Sequence, residues 1–314
     1  MDVGITTIDT GFVRPRFDAS YLLAEGSEAA FIDVGISLNV SVLREALQQQ
    51  QITPEQVKYL IVTHVHLDHA GGAGVFLQEL PHAQLVVHPK GARHLINPER
   101  LIRGSIAVYG EEHFRAYFGE VRPIPAERVI EVKHQDRLSL NGRELLFLDT
   151  PGHARHHVCV VDERSQGIFT GDTFGLSYRE FETSKGPCIF PTSSPVHFDP
   201  EQMHASIRML LSYQPKKMYL THFGGVEDVS RLADDLHEMI EQYVTVAKGV
   251  DGLDRKQRRE ALTEGVRRTL IGRLTAHGCE LTEERMIELL LPDMTLNVQG
   301  LEVWLDRQCK TKNS

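Results

Sequence analysis

The sequence predicts an α/β protein that ends in helices alone, and three observations carry that expectation. Short runs rich in Val, Ile, Leu, Phe and Tyr alternate with stretches of helical spacing. The short runs gather into two blocks, before and after a helical section at 90–118. Beyond Gly249 only helical spacing remains. A main domain over 1–248 and a helical extension over 249–314 are therefore expected. Periodicity alone does not say how the two strand-rich blocks pack.

Residues 3–8, 20–25 and 29–34 read as an opening antiparallel meander, with Gly11 and Gly26-Ser27 as turns. Val42, Leu43, Ala46 and Leu47 recur at helical spacing within 38–49, a helix that ends before Thr53-Pro54, and Val57 to Val62 is the next strand. Gly71-Gly72-Ala73-Gly74 opens a helix with Phe76, Leu77 and Leu80 on its apolar face. Leu85 to His88 is a strand, and 90–118 reads as helices carrying Leu95, Leu101, Ile102, Ile106, Phe114, Tyr117 and Phe118. Strands return at 129–132, 137–140, 144–148, 157–161 and 167–170, with Asn141-Gly142 as a hairpin turn. An irregular stretch at 174–198 is followed by a helix at 200–213, a strand at 217–221 and an amphipathic helix at 226–247. In the extension, Leu262, Val266, Leu270 and Leu274 mark one helical face, Met286, Leu289 and Leu290 another, and Leu296, Leu301 and Trp304 a third. Faces this apolar should pack on the core or form a homodimer contact.

The strand at 57–62 runs into Thr63-His64-Val65-His66-Leu67-Asp68-His69. Three imidazoles and a carboxylate in so short a span offer the nitrogen and oxygen ligands that zinc, iron or manganese take. Histidines at a loop tip can be no more than solvated polar groups, and for any one of the 16 in this chain that reading is at least as good. Four donors together resist it. His82, His88, His94, His113 and His134 belong to no such cluster and read as structural or exposed.

His64-x-His66-x-Asp68-His69 after a buried strand resembles the first ligand motif of the metallo-β-lactamase superfamily. The resemblance continues in order through Thr150-Pro151-Gly152-His153, Phe169-Thr170-Gly171-Asp172 and Tyr219-Leu220-Thr221-His222, and so covers 1–248. It implies a four-layer αβ/βα sandwich, two β-sheets face to face with helices on both outer faces and the metals at one edge. It also implies two divalent metal ions per chain, with zinc expected and iron or manganese as alternatives. His64, His66 and His153 would hold one ion, Asp68, His69 and His222 the other, and Asp172 would bridge them. Mixed ligands make physical sense, because two neighbouring cations repel and anionic Asp68 and Asp172, with a bridging hydroxide, offset that repulsion. Metal-bound water can have its pKa lowered to about 7, which provides a nucleophile without Ser or Cys. His157 matches a histidine common after the third ligand and is expected to support a ligating ring. The adjacent Arg155 and His156 have no such warrant and are expected to be exposed.

The resemblance thus implies a dinuclear metal-dependent hydrolase in which a bridging hydroxide attacks an ester, thioester or lactone-type small molecule, with Asp68 and Asp172 as the catalytic carboxylates. A mononuclear iron dioxygenase of the persulfide type and a phosphodiesterase or nuclease use related ligand sets and remain alternatives. A non-catalytic sensor would more often have lost ligands. Gly175 stands where quorum-signal lactonases of the superfamily typically have a tyrosine. The glutathione-binding motif of glyoxalase II is matched only by Arg179, and Asp172 stands where β-lactamases of the first subgroup use cysteine. The stretch 174–198 leaves directly from Asp172 and carries Phe174, Tyr178, Phe181, Phe190 and Phe198 beside Arg179, Lys185 and His197. It is expected to select the substrate, with Tyr178, Arg179 and His197 in contact, unless its phenylalanines serve only as anchors.

A chain of 314 residues, 41% hydrophobic and 25% charged, can bury a substantial core. Its net charge of -9 argues against a broad nucleic-acid surface. Arg255-Lys256-Gln257-Arg258-Arg259, with Arg267, Arg268 and Arg273, is interleaved with Asp254, Glu260 and Glu264 and reads as a solvated helix face. The opening residues lack a basic segment before an apolar core, and no apolar run approaches the roughly 18 residues of a membrane span. A cytoplasmic protein without membrane association is expected. Cys159, Cys188, Cys279 and Cys309 are widely spaced and read as reduced, mostly buried thiols.

Overall fold

The computed structural model describes residues 3–250 and 252–312. Its strands form two six-stranded sheets. The first runs β1 (Ile5–Asp9), β2 (Ala19–Glu25), β3 (Glu28–Ile32), β4 (Val57–Ile61), β5 (Gln84–Val87) and β6 (Val129–Glu131) in spatial order. Its opening meander is antiparallel, whereas β3 to β6 are parallel. Parallel neighbours need crossovers, and these are supplied by α1 (Val40–Gln49), the short α2 (Leu67–Ala70) and α3 (Ala73–Phe76), and α4 (Pro89–Ile96), α5 (Glu99–Tyr109) and α6 (Glu111–Phe118). The second sheet contains β7 (Arg137–Leu140), β8 (Arg143–Asp149), β9 (Val158–Asp162), β10 (Gly167–Gly171), β11 (Lys217–Leu220) and β12 (Gly224–Val226) in reverse spatial order. It is antiparallel except between β10 and β11.

The strand period of two explains why these segments are apolar throughout. Leu22, Phe31, Leu60 and Leu85 join Val40, Leu43, Leu47 and Phe76 in one core cluster. Their neighbours Tyr21, Ile32, Ile61 and Val86 join Phe147, Val160, Phe169 and Tyr219 of the second sheet in another. Burial on both faces replaces polar–apolar alternation with a continuous apolar run. Two mixed sheets with flanking helices form the expected α/β sandwich, followed by C-terminal helices.

The chain divides into two compact units. The first consists of residues up to Asp149, His156–Gly171 and Pro215–Glu227, and contains both sheets. The second consists of Thr150–Arg155, Asp172–Gln214 and the chain from Asp228 onward. In it α7 (Pro200–Ser212) packs on α8 (Val229–Lys248), and α9 (Arg255–His277) and α10 (Glu283–Lys312) pack on each other and on α8.

Three features differ from the sequence reading or refine it. The brief β12 was not anticipated, because Gly224-Gly225-Val226 has little strand propensity and depends on pairing with β11. Helix α10 continues through Pro292, and buried Leu289, Leu290, Met294, Val298 and Leu301 lie on both sides of it. Proline ordinarily interrupts a helix, but here apolar packing continues through it. Several arginines of α9 form ion pairs across to α10: Arg258 with Asp306 at 2.8 Å, Arg259 with Glu302 at 2.5 Å, and Arg267 with Glu283. No disulfide joins the four cysteines, and Cys159 and Cys188 are buried. No helix among the described residues is long and apolar enough to cross a membrane.

Candidate metal centre

In the first unit the ligand turn leaves the end of β4 and is fastened to a buried carboxylate. Asp33, just beyond β3, accepts from the Thr63 backbone N–H at 2.8 Å and lies within 3.0 Å of the Thr63 hydroxyl. Its Oδ2 also accepts from the Thr221 hydroxyl and from His69 Nδ1, both at 2.7 Å. One carboxylate therefore ties together three strand ends. With the proton of His69 placed on Nδ1, the lone pair is on Nε2, the nitrogen able to ligate. His222 is arranged in the same way by a different acceptor, its Nδ1 donating to the Phe17 carbonyl at 2.9 Å.

Helix α2 presents Asp68 beside these rings. Its Oδ2 lies 3.8 Å from His69 Nε2 and 3.5 Å from His222 Nε2. The ligand atoms of Asp68, His69 and His222 all lie within 4.8 Å of one another. Two imidazoles anchored through Nδ1 and one carboxylate form a donor set that suits a divalent ion such as zinc. Earlier in the turn, His64 Nε2 lies 2.9 Å from His66 Nδ1. Such apposed ring nitrogens require a shared proton or a shared ion. His157 stacks on His64 with ring centroids 4.9 Å apart. Gly171 must be glycine here: its φ is +48°, and a Cβ would lie 2.6 Å from both His157 Nε2 and Thr63 Oγ1.

His156 corrects an expectation. It is buried, with its ring 5.9 Å from that of His66 and 6.2 Å from that of His94. Gly91 on α4 lies close to the same region, where a Cβ would come within 2.9 Å of Val65 Cγ1 and 3.0 Å of Val87 Cγ2. Arg155 is exposed, as expected. His88 is structural: its Nδ1 caps α4 by accepting from Lys90 N at 3.0 Å. Its other nitrogen is 3.4 Å from Asp149, whose carboxyl it holds below the usual carboxylate range.

Two buried acids belong to no ligand motif. Asp33 organises the turn, and Asp18 lies near His69 and His222. Burial pushes Asp18 up to about 7, although the nearby His222 and His69 oppose the shift. Thr10 donates to its Oδ2 at 2.9 Å. The available sequence signal was an acid next to an apolar strand, because a buried carboxylate without partners is costly.

The second unit brings His153 and Asp172 together, with His153 Nε2 3.4 Å from Asp172 Oδ2. His153 Nδ1 lies 2.5 Å from the Thr192 hydroxyl. The turn before it is fixed by Ser206 donating to the Pro151 carbonyl at 2.6 Å and Asp199 N donating to the Gly152 carbonyl at 2.8 Å. Gly152 has φ +136°, and a Cβ there would lie 2.5 Å from Met203 N.

In the 174–198 stretch, Phe174, Phe181 and Phe190 are buried as anchors, as is Phe198 at its end. Tyr178 is also buried, and its hydroxyl donates to Asp293 Oδ1 on α10 at 3.0 Å. Ser193 N donates to Asn297 Oδ1 at 2.7 Å, and Asn297 Nδ2 donates to the Tyr243 hydroxyl at 3.3 Å. Lys185 Nζ donates to the Ala276 carbonyl at 2.8 Å. Arg179 and His197 remain partly accessible, with Arg179 3.5 Å from Glu182.

A family model described as the metallo-beta-lactamase superfamily matches residues 13–222. The chain belongs to that superfamily. It is similar to metallo-beta-lactamase fold-containing protein ST1585 of Sulfurisphaera tokodaii, with 25% identity over 76% of this chain and 84% of that protein. The crystal structure of ST1585 superposes with a TM-score of 0.65 at 21% identity, covering 95% of this chain and 98% of that one. A hydroxyacylglutathione hydrolase of Xanthomonas campestris pv. campestris is 28% identical over 62% of this chain and 58% of its own length. The acyl-coenzyme A thioesterase MBLAC2 of Gallus gallus is 27% identical over 54% of this chain and 62% of its own length.

Proposed function

We propose that the chain is a dinuclear metal-dependent hydrolase of small-molecule thioesters. The observation that carries this reading is the matched anchoring of His69 and His222, each held through Nδ1 with Nε2 beside Asp68. By family pattern, His64, His66 and His153 hold one ion, Asp68, His69 and His222 the other, and Asp172 serves both. Zinc suits this nitrogen and oxygen set, and no thiolate is required. When bound, such ions supply a nucleophile from water at neutral pH and polarise the acyl oxygen.

The chain's own residues prepare this chemistry by orientation. Asp33 and the Phe17 carbonyl hold the His69 and His222 tautomers, Thr192 holds the His153 ring, and His157 backs His64. The thioester class is supported by relatives named for hydroxyacylglutathione and acyl-coenzyme A, both thioesters of a thiol cofactor. We assign Tyr178, Arg179 and His197 to substrate selection, with residues 249–314 bracing the loop that carries them.

The test is turnover by zinc-loaded protein on matched thioesters, lactones and phosphodiesters, with ions counted per chain. Thioesters should be cleaved fastest with two ions bound, and Asp172→Ala should lose an ion and nearly all turnover. Arg179→Ala and His197→Ala should alter the specificity constants of different thioesters unequally at constant metal content. Preferential phosphodiester cleavage, or full activity with one ion per chain, would overturn the proposal.

A further inference from the structure

A second histidine pair, on the helices α7 and α8, has the geometry of a ligand pair. His204 of α7 and His237 of α8 face each other with their Nδ1 atoms 2.6 Å apart. Glu241, one helical turn beyond His237, places Oε1 2.9 Å from His204 Nε2. These distances constrain the protons. The carboxylate accepts from His204 Nε2–H, so neutral His204 carries its lone pair on Nδ1. That lone pair points at the Nδ1 of His237, and one proton must lie between the two nitrogens.

We propose that a divalent transition-metal ion, zinc or copper, takes the place of that proton and joins α7 to α8 through His204 Nδ1 and His237 Nδ1, with Glu241 fixing the His204 tautomer. Zinc–imidazole bonds of about 2.0–2.1 Å at a tetrahedral angle set the two nitrogens about 3.3 Å apart, so binding requires the rings to separate by about 0.7 Å. The nearest parallel is His64 Nε2 and His66 Nδ1 in the ligand turn, 2.9 Å apart. Burial, with His204 and Arg208 nearby, holds His237 below the ordinary histidine range, which favours the neutral ligating form at pH 7. Arg208 opposes a cation, whereas Asp234 and Glu241 favour one, so the local charge balance supports binding. His204 and His237 are half-buried and Glu241 is exposed, so water can complete the coordination shell.

The experiment counts zinc ions per chain in the full-length holoenzyme after equilibration at micromolar free zinc. Wild type should carry one more ion than His204→Ala or His237→Ala. Glu241→Gln should retain this ion with roughly 10-fold or greater loss of affinity. The zinc-dependent rise of the unfolding midpoint should diminish in both alanine variants, while thioester turnover stays at the wild-type rate. The comparison is a difference of one ion, so it holds whatever number the main centre binds. Equal ion counts and equal midpoint responses in wild type and both alanine variants would show an N–H···N hydrogen bond only and overturn the proposal.

Discussion

The turns that carry His64 to His69 and His153 both present candidate metal-binding side chains, but they are held in place by different means. The first relies on a buried carboxylate, Asp33, which takes hydrogen bonds from the same turn and from the end of β11. The second relies on a neutral hydroxyl, Thr192, next to Ser193, whose backbone is held by Asn297 on the last helix. The contrast suggests that the first turn draws its rigidity from the strands around it. The His153 turn draws its rigidity from Ser206 and Asp199 at α7 and from Thr192, whose neighbour Ser193 is tied to the last helix. Hydrogen bonds to an ionised acceptor are stronger than those between neutral groups, so the two turns should fail differently.

The largest effect should follow Asp33→Ala, which leaves the Thr63 N–H, the Thr221 hydroxyl and His69 Nδ1 buried without their acceptor. Each unmatched buried donor costs about 1–3 kcal/mol, so urea unfolding should show a loss of about 3 kcal/mol or more. The ion held by His69 should go with it, and a wild-type unfolding midpoint would rule out the hub role. Asn297→Ala should come next, with a loss of about 1–3 kcal/mol from the stranded Ser193 N–H. Metal retention should also weaken, and Asn297→Asp, which keeps an acceptor oxygen, should recover part of both. A stability loss with unchanged metal affinity would mean that the extension braces only itself. Thr192→Val should give the smallest change in stability, about 1 kcal/mol, because it removes a single hydrogen bond between neutral groups. It should still weaken metal retention by roughly 10-fold, and Thr192→Ser should restore it. Equal retention in Thr192→Val and wild type would remove the hydroxyl from the account.

Residues that form contiguous motifs were legible early. His64, His66, Asp68 and His69 stand within one turn, and the glycines before His153 and Asp172 are needed by backbone conformation and close packing. Residues that act through distant partners were not. Asp33 is a lone acid after an apolar strand until Thr63, His69 and Thr221 converge on it. His156 reads as solvated from its polar neighbours, but the structure buries it beside His64 and His66. The partner of the Tyr178 hydroxyl is equally illegible in the sequence, because it is Asp293, 115 residues later.

The sequence by itself determined the α/β order of elements, the superfamily resemblance and the identity of the candidate ligands. These are properties of local spacing: the period of a strand or helix and a few donor side chains placed close together along the chain. Only the tertiary structure decided which nitrogen of His69 and His222 is tied back, which loop residue meets His153, and that His204 faces His237. Each of these depends on the register and packing of segments distant in sequence, and a hydrogen bond of about 3 Å exists only once that packing has brought its two partners together.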